Sequence, residues 1–491
     1  MLITGKWLFI LLSVLFIGCN KKPSWTNNSY VLEHASIIDV SNGKIMTDQI
    51  VIIEGNKITQ IGQIDSINYP DPPIKIDCDG MFLIPGLWDM HVHTQDPYLY
   101  SKLYIANGIT GIRDMGGNDP GTKAALSDDF KNVAQWRQRI SGGELLGPRV
   151  IAARSIIDGP PGFWPGLKVV SNIKEAVQAV KDDKQAGADF IKVYSLLQER
   201  EFKAVAVEAQ DQGLEVAGHL SEYVSIEDAL QAGQRTIEHF SEGRYLVLTS
   251  SNSEEIGVRY LSALTTVADL KETWHGWLTL LVEAASNHDT VKGKKLVQLL
   301  ANSKSWQVPT WRNLRNSFLD PNVPKPDKSM EDYVPLKVKK MWAAHPLNSG
   351  LKDDSQLSDL AHEILPTMRD LLAEMREADV HFMAGSDSGN PDLVPGFALH
   401  TELHDLVADA GFSPLEALQM STLRPAEFLG KTDELGTIEE GKIADMVILR
   451  ANPLENINNT REIEAVFVNG EYLNRGKLDS LLNDVYNVVH N

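Results

Sequence analysis

Apolar and polar positions divide this chain into two patterns. Between residues 29 and 84, short β-branched runs (36–40, 49–53 and 57–61) are punctuated by Gly43, Gly55-Asn56 and Gly62. That is the pattern of strands joined by tight turns. It returns at 435–475, where 444–449 and 463–468 read as strands and Asn469-Gly470 as a hairpin turn. Neither piece is large enough to bury a core alone, so the two are expected to pair into one small β-domain. From 85 to 434 the pattern changes. Apolar runs ending near His93, Asp114, Ala153, Tyr194, His219, His239, Trp311 and Asp387 alternate with helical periodicity, as at 172–186 and 199–212. Eight strands with intervening helices predict an α/β chain built on a (β/α)8 barrel. The spans from the sixth strand to the seventh, and from the seventh to the eighth, are long. Their periodicity at 294–301 and 356–378 predicts helical insertions at 245–305 and 315–365, of the kind that form lids or pocket walls.

The chain has 491 residues, 43% hydrophobic and 23% charged, which is ample for a large core. A formal net charge of −20 argues against a nucleic-acid partner, because phosphate binding needs a basic face. The N-terminus stands apart. Lys6 supplies a positive charge, residues 7–17 are almost unbrokenly apolar, and Gly18-Cys19 follows. Such a segment is too short to span a bilayer and has the layout of a secretory signal. Phe16-Ile17-Gly18-Cys19 resembles a bacterial lipobox, after which the cysteine becomes the lipidated first residue. The expectation is a lipoprotein signal at 1–19, a polar tether at 20–28, and a membrane attachment through lipid on Cys19. That places the protein in the cell envelope, anchored to a bacterial membrane and facing the periplasm or exterior. Cys78 is the only other cysteine, so a lipidated Cys19 leaves no intramolecular disulfide.

The chemistry-bearing residues lie at strand ends. His91 and His93 are two apart, so both side chains face the barrel axis. Lys192 sits in the apolar run Phe190-Ile191-Lys192-Val193, where a lysine is costly unless paired or neutral. A lysine with a depressed pKa can react with carbon dioxide to give a carbamate, an anionic ligand able to bridge two cations. His219 and His239 close the next two strands and Asp387 the last. A carboxylate there can orient a water, take its proton and deliver that proton to a leaving group. A barrel gathers such ends into one ring. His91, His93, Lys192, His219, His239 and Asp387 are therefore the expected metal ligands, with Asp387 also catalytic. Phe163, Trp164 and Tyr194 are candidates for the pocket wall. Trp274, Trp277 and Trp306 read as core. His400 and Glu402 carry no assignable role.

Together these residues resemble the amidohydrolase superfamily, specifically its imidazolonepropionase-like and prolidase-like members. The matching segments are 85–93 (PGLWDMHVH), 108–114, 187–194, Gly218-His219, Ile237-Glu238-His239, Gly385-Ser386-Asp387, and, in the tail, 413–418 and 436–445. The resemblance covers roughly residues 30–475. It implies that the flanking β-pieces, 29–84 and 435–475, form a composite β-sandwich around a barrel at 85–434. It also implies two divalent metal ions, zinc by default. His91, His93 and Asp387 would hold one, His219 and His239 the other, and N6-carboxylated Lys192 would bridge them, with a bridging hydroxide attacking an amide or dipeptide-type C–N bond of a small-molecule substrate. Three rivals stay open. A hydrolytic deaminase would need one metal and no modified lysine. An esterase, lactonase or organophosphate hydrolase could use the same machinery. A non-enzymatic barrel would be expected to have lost ligands, and all six are present. A homo-oligomer is also left open.

Overall fold

The computed structural model describes residues 29–67, 69, 74–116, 133–162, 166–265, 270–318, 320, 322–323, 328–344 and 355–491. The N-terminal signal and lipobox expected at 1–19, the tether, and the candidate wall residues Phe163 and Trp164 lie outside the described residues.

The two terminal β-pieces form one eight-stranded sheet. Its spine runs Glu471–Asn474, Ile463–Val468, Met446–Leu449, Phe82–Pro85, Ser29–Asp39, Lys44–Glu54 and Lys57–Gln63, and Ile74–Asp77 pairs with Ser29–Asp39. The chain ends meet where Phe82–Pro85 pairs antiparallel with Met446–Leu449, Pro85 opposite Met446 and Phe82 opposite Leu449. Alternation sends the side chains of these strands to two different cores. Leu83, Met446 and Ile448 join Leu32, Ile37 and Phe467 in the sheet's own core. Ile84, Val447 and Leu449 instead join the large core shared with the barrel. The sheet curls over its own core: the Tyr30 ring lies 5.4 Å from that of Phe467, although two strands separate theirs in the sheet. The expected sandwich thus arises from one sheet folded back on itself.

The barrel strands are Leu87–Val92, Ile109–Asp114, Arg149–Ala152 with Ile156–Asp158, Phe190–Val193, Glu215–Gly218, Gln234–Glu238 and Trp306–Val308. All pair in parallel. Their covering helices follow from apolar spacing near 3.6. Ile173–Gln185 is capped by the Asn172 side chain on the Glu175 amide and buries Ala176, Ala179 and Val180. Glu199–Asp211 buries Phe202, Val205, Ala206 and Ala209.

Three barrel positions differ from the sequence expectation. The third is broken between Ala152 and Ile156. The seventh ends at Val308, and Trp311 instead opens the helix Trp311–Ser317, because Thr310 turns the chain with φ 44°. The eighth position is filled by an extended segment, not a continuous ladder. Phe382 bridges Gln307 on one side and Ser388 bridges Val92 on the other. Amides of Met90 and Asp387 exchange bonds across the same seam, to the carbonyls of Ala384 and His91. Left-handed φ of 57° at Asp379 and 55° at Asp387 cuts the segment short at both ends. Gly385 is needed for closure: a Cβ there would lie 2.6 Å from His91 Cβ and 2.7 Å from Val308 Cγ1.

Both insertions are helical where described. The first holds Arg244–Thr249, Ser253–Thr265, Leu270–Ser286 and Thr290–Ala301; the second ends in Ser355–Glu377. Trp277 and Trp306 are buried, and Trp274 packs against the core with its Nε1–H donating to the Ser317 carbonyl.

Candidate metal centre

The ring of strand ends brings four imidazoles into contact in series. Ring centroids are 5.4 Å apart for His91–His93, 4.5 Å for His91–His239 and 4.7 Å for His219–His239. Asp387 enters from the closing segment. Its Oδ1 lies 3.4 Å from His91 Nε2 and 3.5 Å from His93 Nε2, and its Oδ2 lies 3.7 Å from His239 Nδ1. Among the described residues, His91, His239 and Asp387 each offer a ligand atom within 4.8 Å of the others, and all three are buried.

The tautomers of His91 and His93 follow from their partners. His91 Nδ1 lies 2.8 Å from the Glu238 carboxylate and His93 Nδ1 2.8 Å from the Gly116 carbonyl. Both partners only accept, so each Nδ1 carries the hydrogen and each Nε2 presents a bare lone pair. Burial reinforces this by holding the pKa of both rings, and of His239, below the ordinary histidine value. His91 Nε2 and Asp387 Oδ1 are buried without a hydrogen-bond partner among the described residues. Two acceptors facing each other at 3.4 Å repel unless something positive joins them. In a tetrahedral site with bonds of about 2.0–2.1 Å, ligand atoms stand roughly 3.3 Å apart. The spacings from Asp387 Oδ1 to the two imidazole nitrogens match that, so the donor set fits a divalent cation.

Lys192 is 1% exposed and its Nζ has no hydrogen-bond partner among the described residues. Desolvation holds its pKa below that of an ordinary lysine, against the pull of Glu238 and Asp387. Desolvation also raises Asp387, and the Lys192 charge opposes that rise. Gly218, with φ 133°, lets the fifth strand approach: a Cβ there would meet Val193 O at 2.2 Å and Lys192 Cδ at 3.0 Å. His219 Nδ1 lies 3.0 Å from Ser195 Oγ and 3.4 Å from Glu242 Oε2, and the Tyr194 ring lies tilted against its own, with centroids 3.9 Å apart. All six residues expected from the sequence therefore line one end of the barrel, linked by contact or by electrostatic influence.

Several residues behind the ligands carry no signal that was read from the sequence. Glu238, fully buried, holds His91 and accepts from Arg113 Nη2 at 2.9 Å and from the Thr236 hydroxyl. Arg113 is itself a charged residue in an apolar strand, so the reasoning that singled out Lys192 would have found it. Thr310 Oγ1 holds His239 Nδ1 at 2.7 Å and Asn313 Nδ2 donates to Asp387 Oδ2 at 2.6 Å. Nothing in the sequence marks either. Trp342, from the second insertion, donates to the Gly389 carbonyl and brings that insertion to the rim. Glu402 proves to accept the amides of Trp311 and Arg312, and His400 is fixed between Thr460 Oγ1 and the Asn107 carbonyl, away from the metal ligands.

A family model described as Amidohydrolase family matches residues 82–473. The ochratoxinase of Aspergillus niger is 22% identical over 433 residues, covering 78% of this chain and 73% of its own length. A solved bottromycin amidohydrolase superposes with a TM-score of 0.72 at 20% identity, covering 94% of this chain and 91% of its own. A Xaa-Pro dipeptidase with bound methionine in its active site superposes with a TM-score of 0.60 at 22% identity, covering 91% of this chain and 100% of its own. The family match spans the barrel, its converging histidines and the C-terminal strands of the flanking sheet, and the chain belongs to the Amidohydrolase family.

Proposed function

We propose that this chain hydrolyses a C–N bond of amide or dipeptide type in a small molecule, at the strand ends where His91, His93, Lys192, His219, His239 and Asp387 meet. The carrying observation is the pair of buried polar atoms, His91 Nε2 and Asp387 Oδ1, facing each other at 3.4 Å with no hydrogen-bond partner among the described residues. His91, His93 and Asp387 would hold one divalent cation and His219 and His239 a second, and zinc suits an imidazole-rich set with an open position. Cations held there would polarise the scissile carbonyl and make a water acidic near neutral pH.

The protein's own groups do the rest. Asp387 is buried at the junction of both histidine pairs, where a carboxylate can take a proton from water and pass it to the leaving nitrogen. Lys192 is desolvated and its amine has no hydrogen bond, which favours the neutral form. Attack of that nitrogen on carbon dioxide would form an N–C bond, release one proton and leave an anionic carbamate able to ligate the cations. The dipeptidase and amidohydrolase names of the structural neighbours support the choice of bond. The apolar run ahead of Gly18-Cys19 supports export and anchoring by lipid on Cys19.

The test is a panel of dipeptides, N-acyl amino acids, lactones, cyclic ureas and heterocyclic amines on zinc-loaded protein, with metal content and intact mass measured alongside. Turnover of amides, two bound metals and a mass increase of one carbon dioxide are expected. One bound metal, no mass increase and turnover confined to heterocyclic amines would identify a deaminase instead. Asp387→Asn should keep metal and lose roughly 10²–10⁴ in kcat; full activity would remove the proton role.

A further inference from the structure

Asp387 is not held by the barrel alone. After Asp387 the chain runs into the helix Phe397–Ala408, whose Glu402 is fully buried. Its carboxylate reaches back over the helix Trp311–Ser317, accepting the amides of Trp311 at 2.7 Å and Arg312 at 2.8 Å. Asp405, one turn on, pairs with Arg312 at 2.9 Å and Arg315 at 3.3 Å, and Asp409 accepts from the Trp311 indole at 2.7 Å. The short helix is thus gripped along its length by the segment that follows Asp387. Thr310, at the left-handed turn that leads into this helix, and Asn313, in its first turn, both reach the ligand cluster. Thr310 Oγ1 meets His239 Nδ1, and Asn313 Nδ2 meets Asp387 Oδ2. The circuit closes: Asp387 leads to Glu402, Glu402 holds the helix, and the helix returns to Asp387.

We infer that Thr310 and Asn313 are positioning residues, presented by a helix that Glu402 clamps, which set the angle of the Asp387 carboxylate and the His239 ring toward the bound metal. The inference rests on the metal-hydrolase reading above. The two oxygens of Asp387 divide the work. Oδ2 is tied by the Asn313 amide, which leaves Oδ1 facing His91 and His93 with no donor of its own among the described residues. An amide suits this task because it donates without carrying charge or competing for the proton. A carboxylate free to rotate about its Cβ–Cγ bond would present either oxygen, and small misplacements at a reacting centre are costly.

The experiment compares Asn313→Ala, Asn313→Asp, Thr310→Val and Thr310→Ser with the intact wild-type chain. It reads Zn2+ affinity by chelator competition, thermal melting, and kcat and KM on a substrate from the panel. Asn313→Ala and Thr310→Val should weaken Zn2+ binding or lower kcat by roughly tenfold to a hundredfold, with KM within about twofold and melting unchanged. Asn313→Asp should fall below Asn313→Ala, because it sets a like charge against Asp387 where the donor stood. Thr310→Ser keeps the hydroxyl and should match wild type. Wild-type Zn2+ affinity and kcat in both Asn313→Ala and Thr310→Val would overturn the inference, as would Asn313→Asp equalling or exceeding Asn313→Ala. If the wild-type chain itself takes up no Zn2+, the metal reading falls and the inference with it. If wild type binds Zn2+ and only the variants are silent, the inference falls alone.

Discussion

Replacing Arg113 by methionine should damage both stability and metal binding, through a residue that touches no ligand. Arg113 is 1% exposed and its Nε–H donates to the Met90 carbonyl at 2.7 Å. Its Nη1 donates to Thr236 at 3.1 Å, and its Nη2 reaches both oxygens of Glu238 at 2.9 and 3.1 Å. Glu238 has no exposed surface, and its only other hydrogen-bond partners among the described residues are the Thr236 hydroxyl and His91 Nδ1. Methionine fills the space but leaves a buried carboxylate without a counter-charge. Breaking a buried pair from one side costs about 3–5 kcal/mol, and losing the Met90 and Thr236 bonds adds about 1 kcal/mol each. Without Arg113 nothing fixes the Glu238 carboxylate against His91 Nδ1, which meets only its Oε2, so the His91 ring loses its fixed orientation and tautomer. Outer-shell losses of this kind reduce metal affinity by roughly 10–100-fold. The assay is chemical denaturation of the metal-free protein beside Zn2+ competition on the same preparation. The double variant Arg113→Met/Glu238→Leu removes both charges and should recover much of the stability but none of the metal affinity. A cost below about 1 kcal/mol for Arg113→Met, or a double variant no more stable than the single, would refute the reasoning.

Lys192→Ala should lose metal and turnover, with partial rescue by short carboxylic acids that replace the carbamate; unchanged metal content would remove the bridging role. Cys19→Ser should release the protein from membranes on fractionation, and persistent membrane association would show a different anchor. His400 gives a pH signature. Both its nitrogens are engaged and burial pulls its pKa down to about 3, whereas the unfolded chain takes up that proton near pH 6.5. Between those values the unfolded state binds more protons, so stability falls as pH drops through that window, by up to about 1.4 kcal/mol per pH unit. His400→Asn should flatten that slope in denaturation measured from about pH 6.5 downward, and an unchanged slope would rule His400 out as its source.

The alternating pattern of apolar runs and helical periods pointed to six distant candidate ligands at strand ends, because strand parity and barrel topology leave those ends one place to meet. Lys192 was legible because a charge in an apolar run demands an explanation. The helices at 172–186 and 199–212 were legible for the same local reason, since caps and spacing belong to consecutive residues. What holds the ligands was not legible. Glu238 reaches His91 across 147 residues, Arg113 reaches Glu238 across 125, and Asn313 reaches Asp387 across 74. No periodicity records such pairs, because each is made only when the barrel closes. The eighth position shows the same division. Its apolar run was visible, but its irregular bridging between Gln307 and Val92 is set by two flanking strands and by left-handed turns at Asp379 and Asp387. Local sequence determined which residues could serve as ligands and on which side of each strand they stand. Tertiary closure alone decided their tautomers, their bare lone pairs and the distances that make room for a cation, because those depend on partners that the chain brings together only in three dimensions.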